Sequence, residues 1–355
     1  MLHVAQSAEY GLGRFLSELL ADQSQRGWPV VFAGPADSPV PDGVERVEWR
    51  ASRDPGPSVV AEARALAAVI RDTGPDVVHL HSSKAGLAGR AVLRKRRPTL
   101  FQPHAWSFLA VDGATRAAAT AWERLAVRWT DAVVCCSEGE ERQGRDAGVR
   151  GRFEVVPNAV DLARFADTDR AAARRRLRLG REPLAVCVGR LSRQKGQDVL
   201  LRAWPRVRAA VPDARLVLVG DGPEREALAA QAAGLEGAAL AGSQPSAVDW
   251  LVAADVVVQP SRYEGLALTV LEAMAAGRSV VASDVEGMAE AVGGGGAVVP
   301  PGDVEALSAA VAERLVDPER AEAEGRTGRE RAARSHDLRM WGERMAEVTL
   351  DVLRR

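Results

Sequence analysis

Two glutamates eight positions apart, Glu264 and Glu272, flank the amides of Gly265, Leu266 and Ala267 directly after the apolar run Val256 to Gln259. Where a strand runs into a helix, the first helical N–H groups have no partner in the helix. Together with the helix dipole they can seat an anion such as a diphosphate. Fixed carboxylates on either side would hold sugar and ribose hydroxyls by charge-assisted hydrogen bonds. A simpler alternative is that Glu264 only caps the helix. Arg190 and Lys195 follow a second apolar run, Leu184 to Val188. Two cations so placed after a strand could hold an anion by charge-assisted hydrogen bonds. Two such cations can also be no more than a solvated loop. His79 and His81 alternate on Asp76 to His81 and so share a strand face, a conceivable metal pair. No third ligand follows nearby, and no metal site is expected.

The elements that must carry these residues have the rhythm of a parallel α/β sheet. In the first half, strand-like runs at 29–32, 76–80, 131–134 and 153–156 are separated by helical stretches. Those stretches fall at 14–26, 58–72, 84–94, 114–129 and 138–146, with apolar residues three and four apart. A polar segment, 161–182, contains no strand. The rhythm then restarts with strands at 184–188, 215–219, 238–241, 256–259, 279–282 and 297–299. The reading is two doubly wound Rossmann-like domains, 1–165 and 166–337, facing across a cleft. A final helix, 338–355, has a stripe of Leu338, Trp341, Met345, Val348 and Val352 and is expected to pack back towards the first domain and strap the two together. In such sheets a ligand sits at the carboxyl ends of the strands.

At 355 residues, with 46% hydrophobic and 27% charged residues, the chain has the composition of an ordinary globular protein of two domains. Its 47 basic and 48 acidic side chains give a net charge of -1, too little to draw it to nucleic acid. Cys135, Cys136 and Cys187 lack the paired spacing of a zinc or redox centre and read as buried strand residues in a reducing cytoplasm. No leader segment and no membrane span is expected. Gly220-Asp221-Gly222 and Gly11-Leu12-Gly13 lack the third glycine of a dinucleotide fingerprint. Gly293 to Gly296 reads as a flexible turn. Asp167-Thr168-Asp169 spells a metal-binding D-x-D but lies in the polar junction rather than at a strand end.

The stretch Glu264-Gly265-Leu266-Ala267-Leu268-Thr269-Val270-Leu271-Glu272-Ala273-Met274-Ala275-Ala276-Gly277 resembles the E-x7-E motif of retaining GT-B glycosyltransferases, in the form found in family 4, the glycogen-synthase-like group. Val188 to Gly196 resembles that family's G-R-x(n)-K-G segment, whose arginine and lysine grip the donor diphosphate. Pro157 to Asp161 resembles P-N-G-V-D with Ala159 for the glycine, and the resemblance covers nearly the whole chain. It implies a donor site of Arg190, Lys195, Gly242, Gly265, Leu266, Ala267, Glu272 and Gly13, with Gly242 near the nucleobase. It implies catalytic roles for Glu264, Arg190, Lys195 and His104. The segment Phe101 to Phe108 is similar to the family's H-G-W-S-F stretch with Ala105 for its glycine, and it would put His104 beside the donor sugar. Gly11 and Arg14, in what resembles the family's glycine loop, read as acceptor-side, as do His81, Ser82 and Lys84. The implied activity is transfer of a hexose from a nucleotide-diphosphate sugar to an acceptor hydroxyl with retention, in cell-surface polysaccharide or glycoconjugate synthesis, and no cofactor is required. Acceptors left open are a sugar, a lipid-linked sugar or a small molecule. Arg94, Lys95, Arg96 and Arg97, closing a helix, could dock a cytoplasmic protein on the inner face of a membrane, or merely complement the helix dipole. Two other readings are a nucleotide-sugar epimerase of the same architecture and a non-enzymatic two-domain sugar-binding protein.

Overall fold

The structure is a computed structural model and describes residues 1–7, 10–52 and 58–355. It divides into two compact units, Met1–Asn158 with Arg339–Arg355, and Ala159–Leu338.

Among the described residues, the first unit is built on β1 (Leu2–Ala5), β2 (Val31–Gly34), β3 (Glu45–Glu48), β4 (Val78–His81), β5 (Thr99–Gln102), β6 (Ala132–Cys135) and β7 (Phe153–Val155). They form one parallel sheet in the order β3-β2-β1-β4-β5-β6-β7. The central strands are buried along their whole length, which is why they read as continuous apolar runs rather than alternating ones. Its helices are α1 (Tyr10–Gln25), α2 (Val59–Thr73), α3 (Ser82–Leu93), α4 (Gly113–Ala126) and α5 (Glu138–Asp146). Gly74, at φ 52°, ends α2 in the left-handed conformation that suits glycine. Ser137 caps α5 by accepting from the Glu140 N–H.

The second unit repeats the plan. Its strands are β8 (Leu184–Val188), β9 (Arg215–Val219), β10 (Ala238–Gly242), β11 (Val256–Gln259), β12 (Ser279–Ser283) and β13 (Gly296–Val299). They run parallel in the order β10-β9-β8-β11-β12-β13. The helices are α6 (Arg170–Arg176), α7 (Gln197–Ala210), α8 (Arg225–Ala233), α9 (Val248–Ala253), α10 (Leu268–Ala275), α11 (Met288–Val292), α12 (Val304–Val316) and α13 (Pro318–Ser335). Asp169 caps α6 through the amides of Ala171 and Ala172, so the D-x-D triplet has a local structural use.

The last helix, α14 (Leu338–Leu353), buries Trp341, Met345, Val348 and Val352. Trp341 meets Phe15 of α1 edge-on with ring centroids 5.1 Å apart. Arg344 and Asp351 pair with Glu154 and Arg152 at 2.8 and 2.5 Å. Its partners lie on α1, on β7 and just before β7, so the chain returns to complete the unit with which it began. In each sheet the strand order reverses once, between β1 and β4 and between β8 and β11. The connections from the two strands at each of these points run to opposite sides of the sheet, the place where such sheets take a ligand.

Candidate functional site

In the second unit, the loops after β8 and β11 meet at the reversal point and carry the charged residues singled out above. Glu264, only 6% exposed, accepts from Lys195 Nζ at 2.5 Å and Ser261 Oγ at 2.7 Å, with Gln259 Nε2 at 3.4 Å. The carboxylate is therefore held from the end of β11 as well as from the β8 loop. Arg190 stands two residues beyond β8, and its Nε is buried without a hydrogen-bond partner. A buried guanidinium N–H left unpaired is costly, and it fits an anionic ligand that supplies the missing acceptor.

The approach of the two loops depends on glycine. Gly196, at φ 67°, has a position where a Cβ would stand 2.0 Å from the Pro260 carbonyl oxygen, so a side chain there would push Lys195 away from Glu264. Further stitches join the same loops. Arg262 makes a forked pair with Asp198 at 2.8 and 2.7 Å and also donates to the Arg193 carbonyl, while Gln194 donates to the Tyr263 carbonyl. The Arg262 guanidinium holds the Asp198 carboxyl below its usual range. Gln259, Ser261, Asp198 and Arg262 were missed as site-building residues. Ser261 three residues before Glu264 was a usable signal, whereas Asp198 with Arg262 pairs across 64 positions and offers none.

The helix α10 begins later than the sequence suggested. Ala267 is its N-cap, so Gly265 and Leu266 precede the helix and its first-turn amides belong to Leu268, Thr269 and Val270. Glu272 sits inside α10, 5% exposed, with Arg164 Nη1 at 3.4 Å. Gly242 ends β10 at φ 71° and accepts from the Gly220 N–H at 2.9 Å.

In the first unit, His104 follows β5 with φ 53°, and Ala105 follows with φ 85°. Ala105 thus adopts the left-handed backbone a glycine would take freely. Glu140 holds this turn: its carboxylate accepts from the Ala105 N–H at 2.6 Å and the Cys136 N–H at 2.8 Å. Burial raises the Glu140 pKa. Glu140 was missed, although Ser137 to Glu140 spells a helix-capping S-x-x-E. Cys135 and Cys136 are buried, with thiol pKa values raised by that burial, and so are unreactive.

Gly11, Gly13 and Arg14 lie in the first turn of α1. Ser82 opens α3 at φ 66°. Lys84 turns inward, 3% exposed, to a buried ion pair with Glu62 at 3.1 Å, where it ties α3 to α2. His81 is wholly buried at the end of β4. The third group that the His79–His81 pair lacked in sequence is His3. The register of β1 against β4 sets His3 beside His79, and the three rings gather their nitrogens within 4.8 Å of one another. No local pattern could reveal this, because the neighbour is 76 positions away.

Comparison with known proteins gives the fold a family. Residues 10–164 match the model described as Glycosyltransferase Family 4, and residues 182–317 match Glycosyl transferases group 1. A GDP-mannose-dependent alpha-(1-6)-phosphatidylinositol monomannoside mannosyltransferase of Mycolicibacterium smegmatis is 41% identical over 217 residues, 57% of each chain. The chain thus spans little more than half the length of the mannosyltransferases it matches. An alpha-maltose-1-phosphate synthase of the same species is 32% identical over 320 residues, 79% of each chain. Among solved structures, sucrose-phosphate synthase from Thermosynechococcus elongatus superposes with a TM-score of 0.85 at 24% identity, covering 99% of this chain and 98% of that one. With the family models on both units and the alpha-maltose-1-phosphate synthase aligned over 79% of each chain, the chain belongs to the family 4 glycosyltransferases of the GT-B fold.

Proposed function

We propose that this chain transfers a hexose from a nucleoside-diphosphate sugar to an acceptor hydroxyl, with retention of configuration and without a covalent glycosyl-enzyme. The observations that carry the reading are the Lys195–Glu264 pair that joins the loops after β8 and β11, and the buried, unpaired Nε of Arg190 on the same β8 loop. The departing diphosphate accepts from Arg190 and Lys195 and is neutralised as its charge grows. Glu264, with its orientation set by three donors, and Glu272 accept from donor hydroxyls. Both carboxylates have cationic neighbours, unlike the nucleophile and raised-pKa acid of a glycosidase that straddle one bond. This favours attack by the acceptor on the face the diphosphate leaves. His104 beside the donor sugar, Gly242 near the base, the amides of Gly265, Leu266 and Ala267 and the loop residue Gly13 on the donor side, and Gly11, Arg14, His81, Ser82 and Lys84 on the acceptor side belong to the same proposal. No feature of either unit favours the epimerase or the sugar-binding reading.

The test is release of nucleoside diphosphate from UDP-, GDP- and ADP-hexoses, with the anomeric configuration of the transferred sugar read by NMR. Glu264→Gln should lower turnover by about 10²- to 10³-fold, the usual effect of losing one charge-stabilising group. Unchanged turnover, or an inverted product, would sink the mechanism.

A glycolipid acceptor in surface glycoconjugate synthesis fits the mannosyltransferase relatives, whose names specify a phosphatidylinositol mannoside. No helix among the described residues is long and apolar enough to cross a membrane, so contact would be peripheral. Arg94 to Arg97 are exposed, the Arg94 guanidinium lies 5.4 Å from the Trp129 ring centroid, and Trp122 stands 6.0 Å from Trp129. Leu125 beside them is 43% exposed. Cations next to amphipathic aromatics suit an anionic headgroup layer. Phosphatidylglycerol vesicles should sediment the chain and phosphatidylcholine vesicles should not, and the double change Arg96→Ala, Arg97→Ala should abolish the difference. Equal sedimentation of the variant would refute the contact.

A further inference from the structure

Four of the five histidines of the chain, His3, His79, His81 and His104, meet in the first unit. Three of them are joined in a single line of hydrogen bonds. Gln23 Oε1 lies 2.7 Å from His3 Nε2, His3 Nδ1 lies 3.0 Å from His81 Nε2, and His81 Nδ1 lies 3.2 Å from His104 Nε2. His3, His81 and Gln23 are wholly buried, and His104 alone of the line keeps some exposed surface.

A neutral imidazole has one N–H and one lone pair, on opposite nitrogens. This makes the line directional. With the Gln23 amide oxygen, which only accepts, facing the ring, the His3 proton is on Nε2. His3 Nδ1 is then bare and takes the proton of His81 Nε2, and His81 Nδ1, bare in turn, takes that of His104 Nε2. We infer that Gln23, acting through His3 and His81, fixes His104 as its Nε2–H tautomer and leaves His104 Nδ1 as a lone-pair acceptor for a hydroxyl group. Gln23, His3 and His81 are positioning residues that need touch no substrate, and His81 thus serves the acceptor side from behind His104 rather than by lining it.

Burial keeps the rings neutral: an imidazolium at His3 or His81 would confront its second N–H with that of the next ring, and one at His104 would remove the Nδ1 lone pair. The His3 pKa is lowered to about 4 and that of His104 to about 3, both chiefly by desolvation, and His81 is lowered well below its ordinary value. The line also has a closed end. A proton arriving at His104 Nδ1 could be handed inward only as far as Gln23, whose amide does not take it up, so the array orients a lone pair and does not drain protons. His79, its ring centroid 4.0 Å from that of His81, has neither nitrogen in a hydrogen bond of good geometry and packs against the line without joining it. A metal ion among His3, His79 and His81 would be an exclusive alternative. It would use the lone pairs of His3 Nδ1 and His81 Nε2, move the His81 proton to Nδ1 and reverse the tautomer of His104.

Use of His104 Nδ1 by a sugar hydroxyl rests on the transferase reading, whereas the tautomer does not and can be read without nucleotide or turnover. The full chain, labelled with ¹⁵N-histidine, is examined by long-range proton–nitrogen correlation near neutral pH in the presence of chelator, and His104→Gln assigns the signals. The expected result is a pyrrole-type Nε2 and a pyridine-type Nδ1 for His3, His81 and His104 alike. Gln23→Met should replace the fixed His104 pair of shifts by values averaged between the tautomers. A His104 proton on Nδ1, averaged shifts in the unaltered chain, or an unchanged His104 in Gln23→Met would each overturn the inference. So would zinc added without chelator, if it moved the His3 and His81 signals to coordinated positions at stoichiometric concentration. If Gln23→Met does not fold, the spectrum of the unaltered chain decides alone.

Discussion

Charge and burial act in opposite ways at the individual residues of the two units. In the second, the Lys195 ammonium is matched to the Glu264 carboxylate, while the buried Nε of Arg190 is left without a protein acceptor. In the first, four imidazoles are kept in a dry environment where none can charge. That has a cost in acid. An unfolded histidine binds a proton below about pH 6.5, while the folded His3 resists until about pH 4. The unfolded state therefore gains protons first, so the stability held at neutral pH falls as the pH drops from about 6.5 towards 4 and levels off below. One ring shifted by this much contributes about 3 kcal/mol over the window, and His79, His81 and His104 act in the same direction. Urea denaturation followed in the first unit should give a markedly lower midpoint at pH 5 than at pH 7.5, and His3→Gln should reduce the difference. A midpoint independent of pH in that range would contradict the buried array.

At the scale of elements, turns and close approaches decide where side chains arrive. Gly196→Ala introduces both a left-handed alanine and a Cβ in collision with the Pro260 carbonyl. It should cost about 2 kcal/mol or more of stability through backbone shift and weaken nucleotide binding by separating Lys195 from Glu264, as read by calorimetry. Wild-type affinity in that variant would show that the two loops need not meet. Most elements were legible in the sequence because buried parallel strands are Val-rich runs: β8, β9 and β11 and the helix α5 have the limits read from the pattern, and α14 starts at Leu338 as read. The edge strand β3 was not, since Glu45, Arg46 and Glu48 are exposed and leave no apolar run. Nor was α13, which buries Ala321, Gly325, Gly328 and Ala332. Its stripe is made of small residues that let Gly325 and Gly328 sit against Gly277 and Gly295, and such a stripe has no hydrophobic signature. Among the candidate site residues, Lys195 and Glu264 were each marked by a motif, but their pairing, like the link from His3 to His81, depends on which strands are neighbours, a matter of topology rather than of local sequence.

At the scale of the whole molecule, the two units share one strand plan, and each has its chemistry-bearing side chains where the order reverses: the histidine line on β1 and β4, the charged cluster after β8 and β11. The second unit holds the residues proposed for the diphosphate, so its ligand can be sought before any acceptor is known. The deciding measurement is calorimetric binding of GDP, UDP and ADP to the full chain and to Arg190→Ala. One nucleotide should bind the unaltered chain. Removing the unpaired guanidinium should weaken it by about 10- to 100-fold, the worth of a charged hydrogen bond, with little loss of thermal stability, since Arg190 Nε has no protein partner to lose. Binding of none of the three, or equal affinity in the variant, would contradict a diphosphate site at the β8/β11 reversal.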